Sequence, residues 1–180
     1  MIPYLEKPHK KQKGEHLLTS TRRLKDREVK ALLRDFAKTY PNVALLERTK
    51  HFDEVAVGED AVYFVDGAPL IIRTKGGLIP SLKFAEAIGL LPHVIVDMGA
   101  VAHIANGADV MRPGIKDVRG DFGRGDLVVI VDEKFGKPIA LGVAEVDSDE
   151  MRRVGKGDVI RSLHYVGDDL WSTFSKVSHF

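Results

Sequence analysis

The residues best suited to chemistry lie in one run, Gly107-Ala108-Asp109-Val110-Met111-Arg112-Pro113-Gly114-Ile115. Glycines near both ends let a backbone come close to sugar and phosphate, while the arginine between them carries a planar fork that fits a phosphate or a guanine edge. Looped or single-stranded RNA presents such edges. Arg119 and Arg124 follow on the next loop. Gly107, Ala108, Asp109, Arg112, Pro113, Gly114, Arg119 and Arg124 are candidate RNA contacts, with Gly107 and Gly114 alternatively plain turn residues and Val110, Met111 and Ile115 expected to fill a core.

Patterns that suggest catalysis lack their context. Asp121-Phe122-Gly123 spells a kinase metal-binding tripeptide, but no glycine-rich loop, strand lysine or catalytic loop precedes it. Gly120, Gly123 and Gly125 lack both the Walker lysine and the dinucleotide spacing. The seven histidines are dispersed, with no pair spaced to share one ion. Adjacent carboxylates such as Asp53-Glu54, Asp132-Glu133 and Asp168-Asp169 fall at expected turns and element ends, where they cap backbone N–H groups. The expectation is a protein without catalytic residues, metal or cofactor.

Charge points the same way. The chain of 180 residues has 27 basic and 26 acidic side chains and a net charge of +1, yet residues 1–38 hold eleven basic and five acidic ones. Such a block, led by Lys7, Lys10, Lys11 and Lys13, releases counterions from nucleic-acid phosphates. Arg22, Arg23, Arg34 and Lys75 extend it as candidate contacts. A solvated tail with a charged helix face is the plainer explanation, and docking of an acidic protein partner is a third. The absence of cysteine excludes disulfides and thiolate sites and suits a reducing compartment. No apolar run reaches the roughly 20 residues of a membrane span, and the basic start lacks the apolar stretch of a signal peptide. A cytoplasmic protein is expected.

These candidates need elements to position them. Val29, Leu32, Leu33, Phe36 and Ala37 recur at helical spacing, predicting a helix over 24–40, capped by Ser20 or Thr21 and stopped before Pro41. A short apolar patch, Val43 to Leu46, follows. Strands are expected at Glu54–Val57, Ala61–Val65 and Leu70–Thr74, with Asp66-Gly67 turning a hairpin. Pro80 is placed at the start of a second helix with Leu82, Ala85 and Ile88 inward. Beyond residue 90 come a strand at His93–Asp97, a helix at Ala100–Ala105, and strands at Leu127–Asp132, Pro138–Val146 and Val159–Tyr165, the last extending toward Trp171. Ser148–Arg153 forms one helical turn. Short strands joined by glycine turns suggest a small barrel. The fold class is α+β, with a domain at 1–90 and a barrel domain at 91–180.

The ordered segments Leu91-Pro92-His93, Val96–Ala100, Gly107–Ile115, Gly125–Ile130, Ile139–Ala144, Lys156-Gly157 and His164–Trp171 resemble a PUA domain, the RNA-binding pseudobarrel named for pseudouridine synthases and archaeosine transglycosylases. With the upstream basic helix, the Asp66-Gly67 hairpin and the Pro80 segment, the chain is similar to the short two-domain proteins of the MCT family (malignant T-cell amplified sequence) and their archaeal relatives. Met98 and Arg112 depart from residues that eukaryotic relatives tend to carry. The resemblance implies recognition of structured RNA, tRNA or rRNA, on the small ribosomal subunit. It also implies work in translation initiation, re-initiation or recycling beside a partner resembling density-regulated protein. An accessory to a tRNA or rRNA modification system, of transglycosylase or pseudouridylation type, is the alternative reading.

Overall fold

The computed structural model describes residues 20–43 and 51–176; the lysines at 7, 10, 11 and 13, and residues 44–46 of the expected apolar patch, lie outside them. The described residues divide into two compact units, one built on Leu91–Trp171 and the other on those up to Leu90 together with 172–176.

The first unit is an antiparallel meander with one long helix against it. Strand β1 (Thr21–Arg23) leads into α1 (Asp26–Thr39), then β2 (Phe52–Val57), β3 (Asp60–Val65), β4 (Ala68–Thr74) and β5 (Gly77–Pro80), with a short α2 (Ala85–Leu90). The strands pair in chain order, β1 to β5. Helix α1 starts where Glu28 reaches back to accept the Lys25 backbone N–H at 2.9 Å, four to five residues later than a Ser20 or Thr21 cap would place it. Its apolar stripe is buried through Leu32 and Phe36, and the Phe36 ring packs against Tyr40 and Phe84 with centroids 4.7 and 6.1 Å apart. A residue of this size contributes about 2–3 kcal/mol by leaving water. Asp66 and Gly67 both take positive φ, 46° and 84°, as a two-residue hairpin requires. Pro80 corrects the expectation of a helix start: it closes β5 opposite Ile71, on an edge strand where its missing N–H breaks no ladder. The helix begins five residues later.

The second unit comprises β6 (His93–Val96), α3 (Met98–Ile104), β7 (Val110–Met111), a single 3-10 turn at Arg112–Gly114, β8 (Ile115–Arg119), β9 (Leu127–Asp132), β10 (Pro138–Ala144), α4 (Ser148–Arg153), β11 (Asp158–Tyr165) and α5 (Asp169–Lys176), whose last residues group with the first unit. Sheet order is β7-β11-β10-β9-β6-β8, with only the β6–β9 pair parallel. The two edge strands are consecutive in the chain, separated by three residues that span at most about 10 Å. Strands five places apart in the sheet must therefore meet, and the sheet curls until Arg112–Gly114 stitches its edges together.

Closure explains why all six residues of Leu127-Val128-Val129-Ile130-Val131-Asp132 are buried, a run with apolar side chains on both faces. The interior is filled by Val94, Val96, Ile104, Val128, Ile130, Met151 and Ile160, among others. Gly142 sits at a register shift in β10, where an added Cβ would collide with Ile160 Cγ2 and lie 2.8 Å from the Arg161 carbonyl. Two expectations are corrected here. Ile115–Arg119 forms an edge strand that sequence reading leaves as loop, and β11 stops at Tyr165 rather than running on to Trp171. Asp168 ends it: its carboxylate accepts the Tyr165 N–H at 3.0 Å and the Trp171 N–H at 2.7 Å, and meets buried His164 Nδ1 at 2.7 Å.

Candidate nucleic-acid interface

The barrel seam contains the residues singled out as RNA contacts. Arg112 is half-buried and its fork points into the protein: Nε donates to the Met151 carbonyl at 2.7 Å and Nη1 to the Ile115 carbonyl at 3.1 Å. Its backbone N–H donates to the Gly157 carbonyl at 2.9 Å. One side chain thereby joins the end of β7, the start of β8 and the helix α4. Arg112 orients the seam, with part of its guanidinium left over.

The glycines act by close packing. Gly107 is buried with φ 79°, and an added Cβ would lie 2.8 Å from Tyr165 Cε1 and 2.9 Å from its hydroxyl. Its bare backbone accommodates the Tyr165 ring, where sequence reading expected an open approach for sugar and phosphate. Gly114 is half-buried, with a virtual Cβ 2.9 Å from the Ala100 methyl, so it admits helix α3; its carbonyl accepts the Asp97 N–H. Asp109 turns inward and accepts the Ser162 N–H at 2.9 Å. Ala108 is half-buried beside it.

Met111 and Pro113 emerge from this packing to face solvent. Sequence alone puts Met111 in the core with Val110 and Ile115. Those two are buried, but the alternation of a strand sends Met111 outward, 56% exposed. Next to the seam, α3 is capped by Asp97, whose side chain accepts the Ala100 N–H at 2.8 Å, and its exposed positions carry Met98 at the start and the small or polar Gly99, Ala102 and His103 beyond it. Past Met98 they form a firm backbone edge with little side-chain bulk in front of it.

The remaining candidates are dispersed. Arg119 lies on β8 and pairs with Asp117 at 3.0 Å, which holds that carboxyl below the usual aspartate range. Arg124 is exposed, with no ion pair among the described residues. In the first unit Arg22 bonds Glu54 at 2.6 Å and Glu28 at 2.8 Å, Arg23 bonds Asp53 at 2.7 Å, Arg34 sits 3.4 Å from Asp35, and Lys75 lies 2.8 Å from Glu59. That part of the cationic block is matched by its own carboxylates. Among the described residues no group of three or more His, Asp or Glu side chains is arranged to hold a metal ion, and no helix is long and apolar enough to cross a membrane.

Residues 92–166 match the PUA domain, and residues 22–86 match a domain of unknown function, DUF1947. The uncharacterized protein MJ1432 of Methanocaldococcus jannaschii is 36% identical over 83% of this chain and 93% of its own length. Translation machinery-associated protein 20 of Saccharomyces cerevisiae is 33% identical over 73% of this chain and 74% of its own. The chain belongs to this family of two-domain PUA proteins. A PUA-domain protein from Aeropyrum pernix K1, solved as a tartrate complex, superposes with a TM-score of 0.77 at 30% identity, covering 89% of this chain and 93% of that one. PUA is an RNA-binding fold, and homologues of this PUA protein are translation-machinery-associated proteins. Sequence reading missed Tyr165 as the partner of Gly107; the only signal for it is that an isolated glycine after a helix can mark packing as readily as a turn.

Proposed function

We propose that this PUA protein is a non-catalytic RNA-binding factor. It recognises structured RNA, tRNA or rRNA, on the small ribosomal subunit during initiation, re-initiation or recycling. The observation that carries the reading is the barrel seam: Arg112 fixes its backbone, and Met111 and Pro113 stand clear of the protein beside the small outer residues of α3. A rigid edge with few bulky side chains can follow a polynucleotide by shape and by backbone contacts, as structured RNA demands. Gly107, Ala108, Asp109 and Gly114 serve that edge by shaping it. Arg112, Pro113, Arg119 and Arg124 contact RNA, with Arg22, Arg23, Arg34 and Lys75 contributing a weaker field. The kinship with a translation machinery-associated protein supports the ribosomal setting, a cytoplasmic location and a partner resembling density-regulated protein.

The test is co-sedimentation with isolated small ribosomal subunits. Met111→Asp puts a carboxylate on the exposed edge without entering the core, and should abolish binding while leaving the melting temperature unchanged. Undiminished binding of that variant would overturn the reading.

A further inference from the structure

We propose that the tip of the β9–β10 hairpin is a second RNA contact, where the Phe135 ring stacks on an unpaired base while Lys134 and Lys137 neutralise its phosphates. The proposal rests on the RNA-binding reading above and adds a site away from the barrel seam.

Phe135 is 63% exposed, the most exposed of the large apolar side chains among the described residues. A single exposed apolar residue means little, but this one is held in place. Asp132 is buried, and its carboxylate accepts the Phe135 N–H at 2.5 Å and the Lys137 N–H at 3.0 Å. The backbone closes the same loop through Gly136 N–H to the Asp132 carbonyl and Asp132 N–H to the Lys137 carbonyl, both 3.1 Å. The aromatic ring is therefore presented on a fixed support, so ordering the loop costs little when a ligand arrives.

Its neighbours supply the rest of a stacking platform. Lys134 Nζ lies 5.2 Å from the Phe135 ring centroid. Lys134 and Lys137 are exposed, and no carboxylate stands within ion-pair distance of either among the described residues. The acids nearby are occupied with backbone groups: Asp132 as above, and Glu133 with the Met98 N–H at 3.1 Å. That bond, with the Glu133 N–H on the Val96 carbonyl at 3.0 Å, draws the hairpin against the start of α3. Met98, 42% exposed, gives a second apolar surface there. An aromatic face with adjacent exposed ammonium groups suits a base and its phosphates, since every base has a π-face and stacking tolerates any sequence. An apolar protein partner would gain from Phe135 and Met98 but would have to desolvate both lysines.

The probe is an RNA hairpin with a single-stranded 3′ tail containing 2-aminopurine, whose fluorescence falls on stacking; affinity is followed by polarisation. The full-length protein should quench the probe. Phe135→Ala should lose the quenching and about tenfold in affinity, the scale of one stacked base, and Phe135→Trp should restore both. Joint Lys134→Gln and Lys137→Gln should flatten the salt dependence without removing the quench. If Phe135→Ala quenches and binds like the parent while Met111→Asp fails, the hairpin proposal is overturned and the seam reading stands. If Phe135→Ala keeps the RNA probe but loses whole small subunits, the tip contacts protein and the proposal is likewise overturned. If the parent binds no RNA at all, the seam reading has failed first.

Discussion

The Tyr165 ring occupies the space that a side chain at residue 107 would need: a Cβ there would come within 2.8 Å of Tyr165 Cε1 and 3.0 Å of Cζ. The two residues fasten the end of β11 to the turn that leaves α3. Gly107→Ala meets two penalties, a left-handed φ of 79° and displacement of the ring. The first costs about 1–2 kcal/mol and the second adds a similar amount, for about 3 kcal/mol in urea unfolding. Pairing it with Tyr165→Ala should recover only the steric part, so the double variant ends up more stable than the sum of the single effects. Strict additivity would show that the ring is not what selects glycine.

Arg112 poses a sharper question, because charge and shape make different predictions. Its fork bonds the Met151 and Ile115 carbonyls, across the seam that brings β7 to β8. Arg112→Ala leaves two carbonyls short of donors and should cost about 2–3 kcal/mol. Arg112→Lys keeps the charge but has no fork, and should lose nearly as much stability and RNA affinity as the alanine variant. Near-parental binding by the lysine variant would mean that Arg112 works as a point charge on phosphate.

What could be read from the chain, and what could not, follows from how far each signal reaches. Helix α1 is legible because Val29, Leu32, Leu33 and Phe36 repeat within one element, and the hairpin because Asp66-Gly67 demands positive φ locally. Strand β8 is not: Lys116, Asp117 and Arg119 are exposed along a barrel edge, so the sequence has the polarity of a loop while its partners in β6 lie 19 to 26 residues upstream. The seam glycines were legible as special but not for the right reason, since Tyr165 and Ala100 are distant in sequence. Met111 reads as inward because a two-residue strand is too short for its phase to outweigh apolar type. Phe135 reads as a turn residue, and only the tertiary position of Asp132 shows that it is held out to solvent.

Internal neutralisation separates the arginines into two classes with distinct salt behaviour. Arg22 already bonds Glu28 and Glu54, whereas Arg124 has no ion pair among the described residues. If Arg124 neutralises one phosphate, Arg124→Gln should lower the slope of log affinity against log salt by about 0.7–0.9. Arg22→Gln should leave that slope unchanged and cost little stability, as loss of a solvent-exposed pair does. Titrating RNA binding over a range of potassium chloride concentrations reads both. An equal fall for Arg22→Gln would mean that its carboxylate partners release it on binding.

The Asp132 loop gives a dependence on acidity whose sign is fixed by its bonds. The N–H of Phe135, with those of Lys137 and Lys134, holds its carboxyl below the ordinary aspartate value of about 3.9. A group with a depressed folded-state value stabilises the fold above its unfolded value and loses that contribution as pH falls through the folded one. Asp132→Asn keeps the shape but cannot ionise. The stability gap between parent and variant should therefore be level from neutral pH down to about pH 5, and close progressively below about pH 4. Amide shifts of Phe135 and Lys137 should move over the same interval in the parent and stay fixed in the variant. The absence of a gap at any pH would mean that the loop is held by backbone bonds alone, leaving the Phe135 platform rigid without its carboxylate.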